Sequence, residues 1–71
     1  MRKDLAEEVT RELLSCSGKL DHSVGLLQGA VEEDFFIRYR RLVGQAMGTL
    51  YIEILRDLFR QYPELEPESL K

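Results

Sequence analysis

One cysteine, one histidine and no tryptophan leave this chain few of the residues that build a reactive centre or brace a weak core. Cys16 alone cannot close a disulfide within the chain, and with His22 as the only imidazole a Cys/His zinc site is excluded too. No stretch approaches the ~20 consecutive apolar residues that a membrane-spanning helix needs. The only prolines are Pro63 and Pro67, so no such helix breaker interrupts residues 1–62. Basic side chains are outnumbered 10 to 13, for a net charge of −3, which argues against nucleic acid as an obligatory ligand. The opening residues turn acidic at Asp4, Glu7 and Glu8, where a secretion signal would be apolar. A lone thiol also suits a reducing compartment, so a cytoplasmic protein without a secretion signal is expected.

What is present is helical patterning. Leu5, Val9, Cys16, Leu20, Leu27 and Ala30 recur at helical spacing, with Ala6, Leu13, Val24 and Val31 along one edge. Together they form one apolar stripe roughly 100° wide. Its phase runs through Gly18 and Gly25, which predicts one helix from about residue 3 to about 29, with a break near Ser17-Gly18 as the alternative. Gly29 suits a helix C-terminus, and Glu32, Glu33 and Asp34 place three carboxylates at the positive end of the next helix. That second helix is predicted from about 32 to 62, because Pro63 disfavours α conformation at Tyr62. Matched helices with a short connection give an all-α, antiparallel two-helix hairpin. Residues 63–71 carry both prolines and three glutamates, and are expected to form an extended or disordered acidic tail with Leu65 packed back.

The second helix is more apolar than one partner helix can cover. Phe36, Tyr39, Val43, Met47, Leu50, Ile54 and Leu58 form its central stripe, flanked by Ala46 on one side and by Ile37, Tyr51 and Leu55 on the other. At 71 residues a single core contributes only ~3–5 kcal/mol and commonly needs help. Two hairpins pairing into a homodimeric four-helix bundle would supply it. The expected dimer interface is Phe36, Val43, Gly44, Met47, Gly48, Tyr51, Ile54, Leu55 and Leu58. Gly44 and Gly48 would set the closest approach of the helices.

Chemistry-bearing residues are sparse. Arg38, Arg41, Arg56 and Arg60 fall on one polar strip with Gln45 and Thr49, a possible anion or partner surface. Asp34 with Arg38, Glu53 with Arg56 and Asp57 with Arg60 stand at helical spacing, so intrahelical pairs are expected to neutralise much of that strip. Glu53 lacks the Glu-x-x-His companion of bundle metal sites, and an interfacial salt bridge suits it better. His22 is expected on the solvated side. Cys16, on the apolar stripe without a basic neighbour there, is expected to be a buried structural thiol. The tyrosines and phenylalanines stand at core spacing before they suggest a base-stacking platform.

Arg38-Tyr39-Arg40-Arg41, Gly44, Met47-Gly48, Glu53, Leu55 and the run from Tyr62 to Pro67 resemble small bacterial helical proteins of similar length and without an assigned activity. The resemblance covers under half of the chain. It implies a small cytoplasmic helical protein and carries over no functional residue. The functional expectation is a non-enzymatic interaction or scaffold module that binds itself and another protein, with neither cofactor nor metal. The alternative is a small regulator that binds nucleic acid or another polyanion through the arginine strip.

Overall fold

The computed structural model describes residues 1–70. They are helical, with no strand among the described residues. Helix α1 (Lys3–Leu27) runs unbroken through Gly18 and Gly25. Helix α2 (Glu33–Leu50) leads without interruption into a π turn (Tyr51–Leu55) and helix α3 (Arg56–Gln61). The two arms pack side by side in an antiparallel hairpin of 45 × 19 × 17 Å.

Each boundary has a local cause. Beyond α1 the amide of Ala30 donates to the carbonyl of Leu27 at 3.0 Å, and Gly29 takes φ 77°, a left-handed conformation in which only glycine avoids a Cβ clash. The helix thus stops two residues short of Gly29. Glu33 and Asp34 occupy the first turn of α2, where negative charge offsets the partial positive charge of the free amides. Tyr62 leaves the α region (φ −134°, ψ 76°), as a residue before proline prefers, while its amide still bonds to the carbonyl of Leu58 at 2.8 Å.

The core lies at the end of the hairpin that holds both chain termini. Ala6, Leu55, Leu58 and Phe59 are buried together, with Val9, Leu13, Leu14, Tyr51, Tyr62 and Leu65 packed around them. Ala6, fully buried, lets the two arms approach closely there. Towards the turn only Val43 is buried, while Leu26, Val31, Phe35, Ile37 and Leu42 stay exposed.

The inward face of α1 differs from the expected stripe. It includes Ala6, Val9, Thr10, Leu13, Leu14, Ser17, Leu20, Ser23, Val24 and Leu27, all buried or half-buried. Leu5 is 45 % exposed and Cys16 is exposed, so the buried thiol expected at position 16 is corrected to a surface one. The sequence hides this rotation because the inward face includes polar residues. Thr10 is buried with its hydroxyl unpaired, and Ser23 uses its hydroxyl to tie the helices together.

A second correction comes from the π turn. The amide of Arg56 bonds to the carbonyl of Tyr51, five residues back, which accommodates one extra residue in the helix. The inward position therefore passes from Ile54 to Leu55: Ile54 is 43 % exposed and Leu55 only 2 %. The tail is corrected as well. Instead of the extended or disordered tail expected, Pro63–Leu65 and Glu68–Leu70 form 3-10 turns, while Leu65 packs back against the core as expected. Lys71, its last residue, lies outside the described residues.

Candidate interaction surface

Beside the core, the two arms diverge enough to leave an open apolar groove of about 370 Å³. Leu14 and Ser17 of α1 form one wall. Met47 and Gly48 of α2, with Tyr51, Ile52 and Leu55 of the π turn, form the other. The π turn shapes this wall, because its extra residue swings Leu55 inward and leaves Ile52, 50 % exposed, on the rim. Tyr51 is held on its inner side by a tilted contact with Phe59, their ring centroids 6.5 Å apart.

Gly48 lies on the groove wall, and Gly44 lies one turn before it. A Cβ added at either would meet no atom within 4 Å. The space above both glycines is thus left open by the chain's own side chains. Ile37, 40 % exposed, continues the same strip towards the turn, since 37, 44 and 48 fall on one face of a helix with 3.6 residues per turn.

The nine residues expected to form a dimer interface divide into two sets. Val43, Leu55 and Leu58 are buried within the single chain, Leu55 as the floor of the groove. Gly44 and Ile54 are exposed, whereas Phe36, Met47, Gly48 and Tyr51 are half-buried. Met47, Gly48, Tyr51 and Leu55 all line the groove, which Leu55 closes from below. Ile54 turns instead to the opposite flank, where Phe35 and Leu42 are exposed at matching helical positions. Sequence reasoning missed Ile52, Leu14 and Ser17 as lining residues. The place of Ile52 on the groove rim follows from the π turn, and no residue type in Tyr51-Ile52-Glu53-Ile54-Leu55 announces one.

On the opposite side a second hollow of about 360 Å³ has a mixed lining that includes Glu12, Cys16, Lys19, Ser23 and Tyr39. The Ser23 hydroxyl donates to the carbonyl of Leu20 at 2.5 Å. Its single proton being used, the Tyr39 hydroxyl is the donor in the 2.7 Å contact between the two. This bond is a cross-brace between α1 and α2 in the sparsely packed half of the hairpin.

The arginines are less neutralised than their spacing suggests. Among the described residues Arg60 meets Asp57 at 3.9 Å, but Arg38, Arg41 and Arg56 form no ion pair, and neither Asp34 nor Glu53 does. Arg38 and Arg40 instead lie over the rings of Phe35 and Phe36, each 5.6 Å from the centroid. The extra residue of the π turn rotates Arg56 and Arg60 by roughly 100° relative to the line of Arg38.

The two ends of the chain are fastened to each other. Lys3 Nζ approaches Glu64 Oε1 at 2.9 Å, and the Tyr62 hydroxyl donates to the carbonyl of Met1. The hydrogen bond and charge of Glu64 raise the pKa of Lys3, and Lys3 likewise lowers that of Glu64. His22 and Glu53 are exposed on separate helical arms. Among the described residues no three His, Cys, Asp or Glu side chains are grouped to hold a metal ion, and no helix is long and apolar enough to cross a membrane. No protein-family model, no curated protein and no solved structure matches the chain.

Proposed function

We propose that this protein is a cytoplasmic, non-enzymatic interaction module that works as a homodimer, each hairpin covering apolar surface that the other leaves open. The observation that carries the reading is an excess of surface. The chain exposes 5382 Å². A compact monomer of its 8.3 kDa mass would expose about 4,600 Å² by the usual scaling. The difference, about 800 Å², is close to what each partner hides in a protein interface of standard size. Its radius of gyration, 14.4 Å, likewise exceeds the roughly 11 Å of a compact domain of this length. The groove and the exposed isoleucines beside it are the place where covering that excess removes the most apolar area from water.

Sedimentation equilibrium or light scattering at micromolar concentration tests the reading. A species of twice the 8.3 kDa chain mass is expected. A compact 8.3 kDa species across that range would refute it.

The second reading, binding of nucleic acid or another polyanion, is favoured by the lack of carboxylate partners at Arg38, Arg41 and Arg56 among the described residues. Such binding would weaken steeply with added salt. Absence of RNA and DNA retention at low salt would rule it out. Binding of another protein by the tail would instead disappear on truncation after Tyr62.

A further inference from the structure

We infer that the second copy lies antiparallel against α2 and the π turn, pairing Glu33 of one copy with Arg56 of the other and Ile37 with Ile52. This rests on the homodimer reading and adds its face, direction and register.

The π turn rotates everything that follows it on the second arm. In an uninterrupted α-helix Arg56 would drift away from the face that carries Ile37, Gly44 and Gly48. The extra residue returns it, so that Ile37, Gly44, Gly48, Ile52 and Arg56 form one nearly straight strip along the arm. Glu33 stands at the start of that strip, on the first turn of α2. The order along the strip is acid, isoleucine, two glycines, isoleucine, arginine.

That order is self-complementary under a two-fold axis and under no translation. With the axis between Gly44 and Gln45, Glu33 faces the partner's Arg56, Ile37 faces the partner's Ile52, and Arg41 lies across the open space above the partner's Gly48. Every contact occurs twice, as an isologous interface requires. Neither Glu33 nor Arg56 has an ion-pair partner within the chain among the described residues, so both charges are available. Ile37 and Ile52 are 40 % and 50 % exposed, and each would be covered by the other. Residues 33–56 give an overlap of about 35 Å at ~1.5 Å per residue. The open space above Gly48 leaves room for the partner's Arg41 side chain, and the charges at either end fix the register.

A small apolar ligand would fill the groove but would leave Glu33 and Arg56 unpaired at the ends of the strip. A parallel second copy would set Glu33 against Glu33 and Arg56 against Arg56. The charges favour an antiparallel copy over both.

Site-specific cross-linking of the full chain in a Cys16→Ser background tests the register. Ile37→Cys with Ile52→Cys in the same chain should give a disulfide-linked dimer on mild oxidation. Within one chain those positions are about 22 Å apart, too far for a disulfide. Ile37→Cys alone should give little dimer, because the equivalent positions are held apart. Glu33→Arg and Arg56→Glu should each weaken dimerisation roughly tenfold, for ~1.4 kcal/mol, and together restore it. Gly48→Leu should leave the helical circular dichroism intact, since a Cβ at that position meets no atom within 4 Å, and abolish the dimer. Efficient cross-linking through Leu42→Cys or through Ile37→Cys alone, in a protein of dimeric mass, would overturn the register while leaving the homodimer standing. A monomeric mass for the unmodified chain would overturn both.

Discussion

At the terminal end of the hairpin, four buried apolar residues from both arms meet, six more pack around them, and the tail turns back to cover them. At the turn end, the same two arms bury Val43 and hold each other through the hydrogen bond of Tyr39 to Ser23, while Leu26, Phe35 and Leu42 face solvent. Helical propensity does not separate the two regions, for both are helical. What separates them is side-chain size on the inward face. Ala6 admits Leu55, Leu58 and Phe59 at one end, whereas Ser17 and Ser23 leave gaps on either side of the seam towards the other. A two-helix protein of this length thus has one end that holds the fold together and one that leaves much of its apolar surface uncovered.

The largest test of this contrast is deletion of apolar volume at each end. Leu55→Ala should cost about 2–5 kcal/mol and reduce or abolish the cooperative thermal transition, because Leu55 is 2 % exposed. Leu42→Ala, at a position 58 % exposed, should change stability by less than about 0.5 kcal/mol in the same melt. Equal effects would break the comparison. Gly29→Ala probes the turn itself: a Cβ at φ 77° should destabilise by about 1–2 kcal/mol in chemical denaturation, although the space around it is empty. Within the terminal half, Thr10→Val should stabilise by about 1 kcal/mol, since it removes a buried hydroxyl that has no partner and keeps the side-chain shape. A neutral or destabilising result would mean that the hydroxyl is satisfied.

The smallest effect belongs to the ion pair that fastens the chain ends. Glu64 titrates below its ordinary 4.5, through its hydrogen bond and charge interaction with Lys3. Its contribution is therefore present above that ordinary value and is lost as pH falls through the lowered one. Lys3 is raised above 10.5, so its contribution holds below that value and is lost as pH rises through the raised one. Both groups are solvent-exposed, and the effect is correspondingly slight. Comparing acid melts of the unmodified chain with Glu64→Gln checks it: the variant should show a shallower loss of stability at acidic pH.

The helical arms and the site of the turn are legible in the sequence because each is marked by a local signal. Gly29 follows α1, acidic residues open α2, and Pro63 ends the second arm. The angular placement of side chains is less legible. Leu5 and Cys16 continue an apolar stripe that the structure turns towards solvent, because Thr10 and Ser17 take inward positions that apolarity alone does not assign to them. Ile54 and Leu55 are equally apolar neighbours, and the choice between them rests on the π turn. The candidate surface divides in the same way. Gly44, Met47, Gly48 and Tyr51 are recognisable by spacing, whereas Ile52 joins them only through the added residue.

The position of the core also bears on how the chain reaches its fold. Residues near the turn meet after a short search, but they gain little from meeting. The contacts that reward folding join Ala6 to Leu55 and Phe59, near opposite ends of the sequence, and closing so long a loop carries an entropic cost that grows with its length. The hairpin therefore cannot zip to stability from its turn. Its rate should be set by the encounter of the two chain ends, slower than its simple two-helix outline suggests.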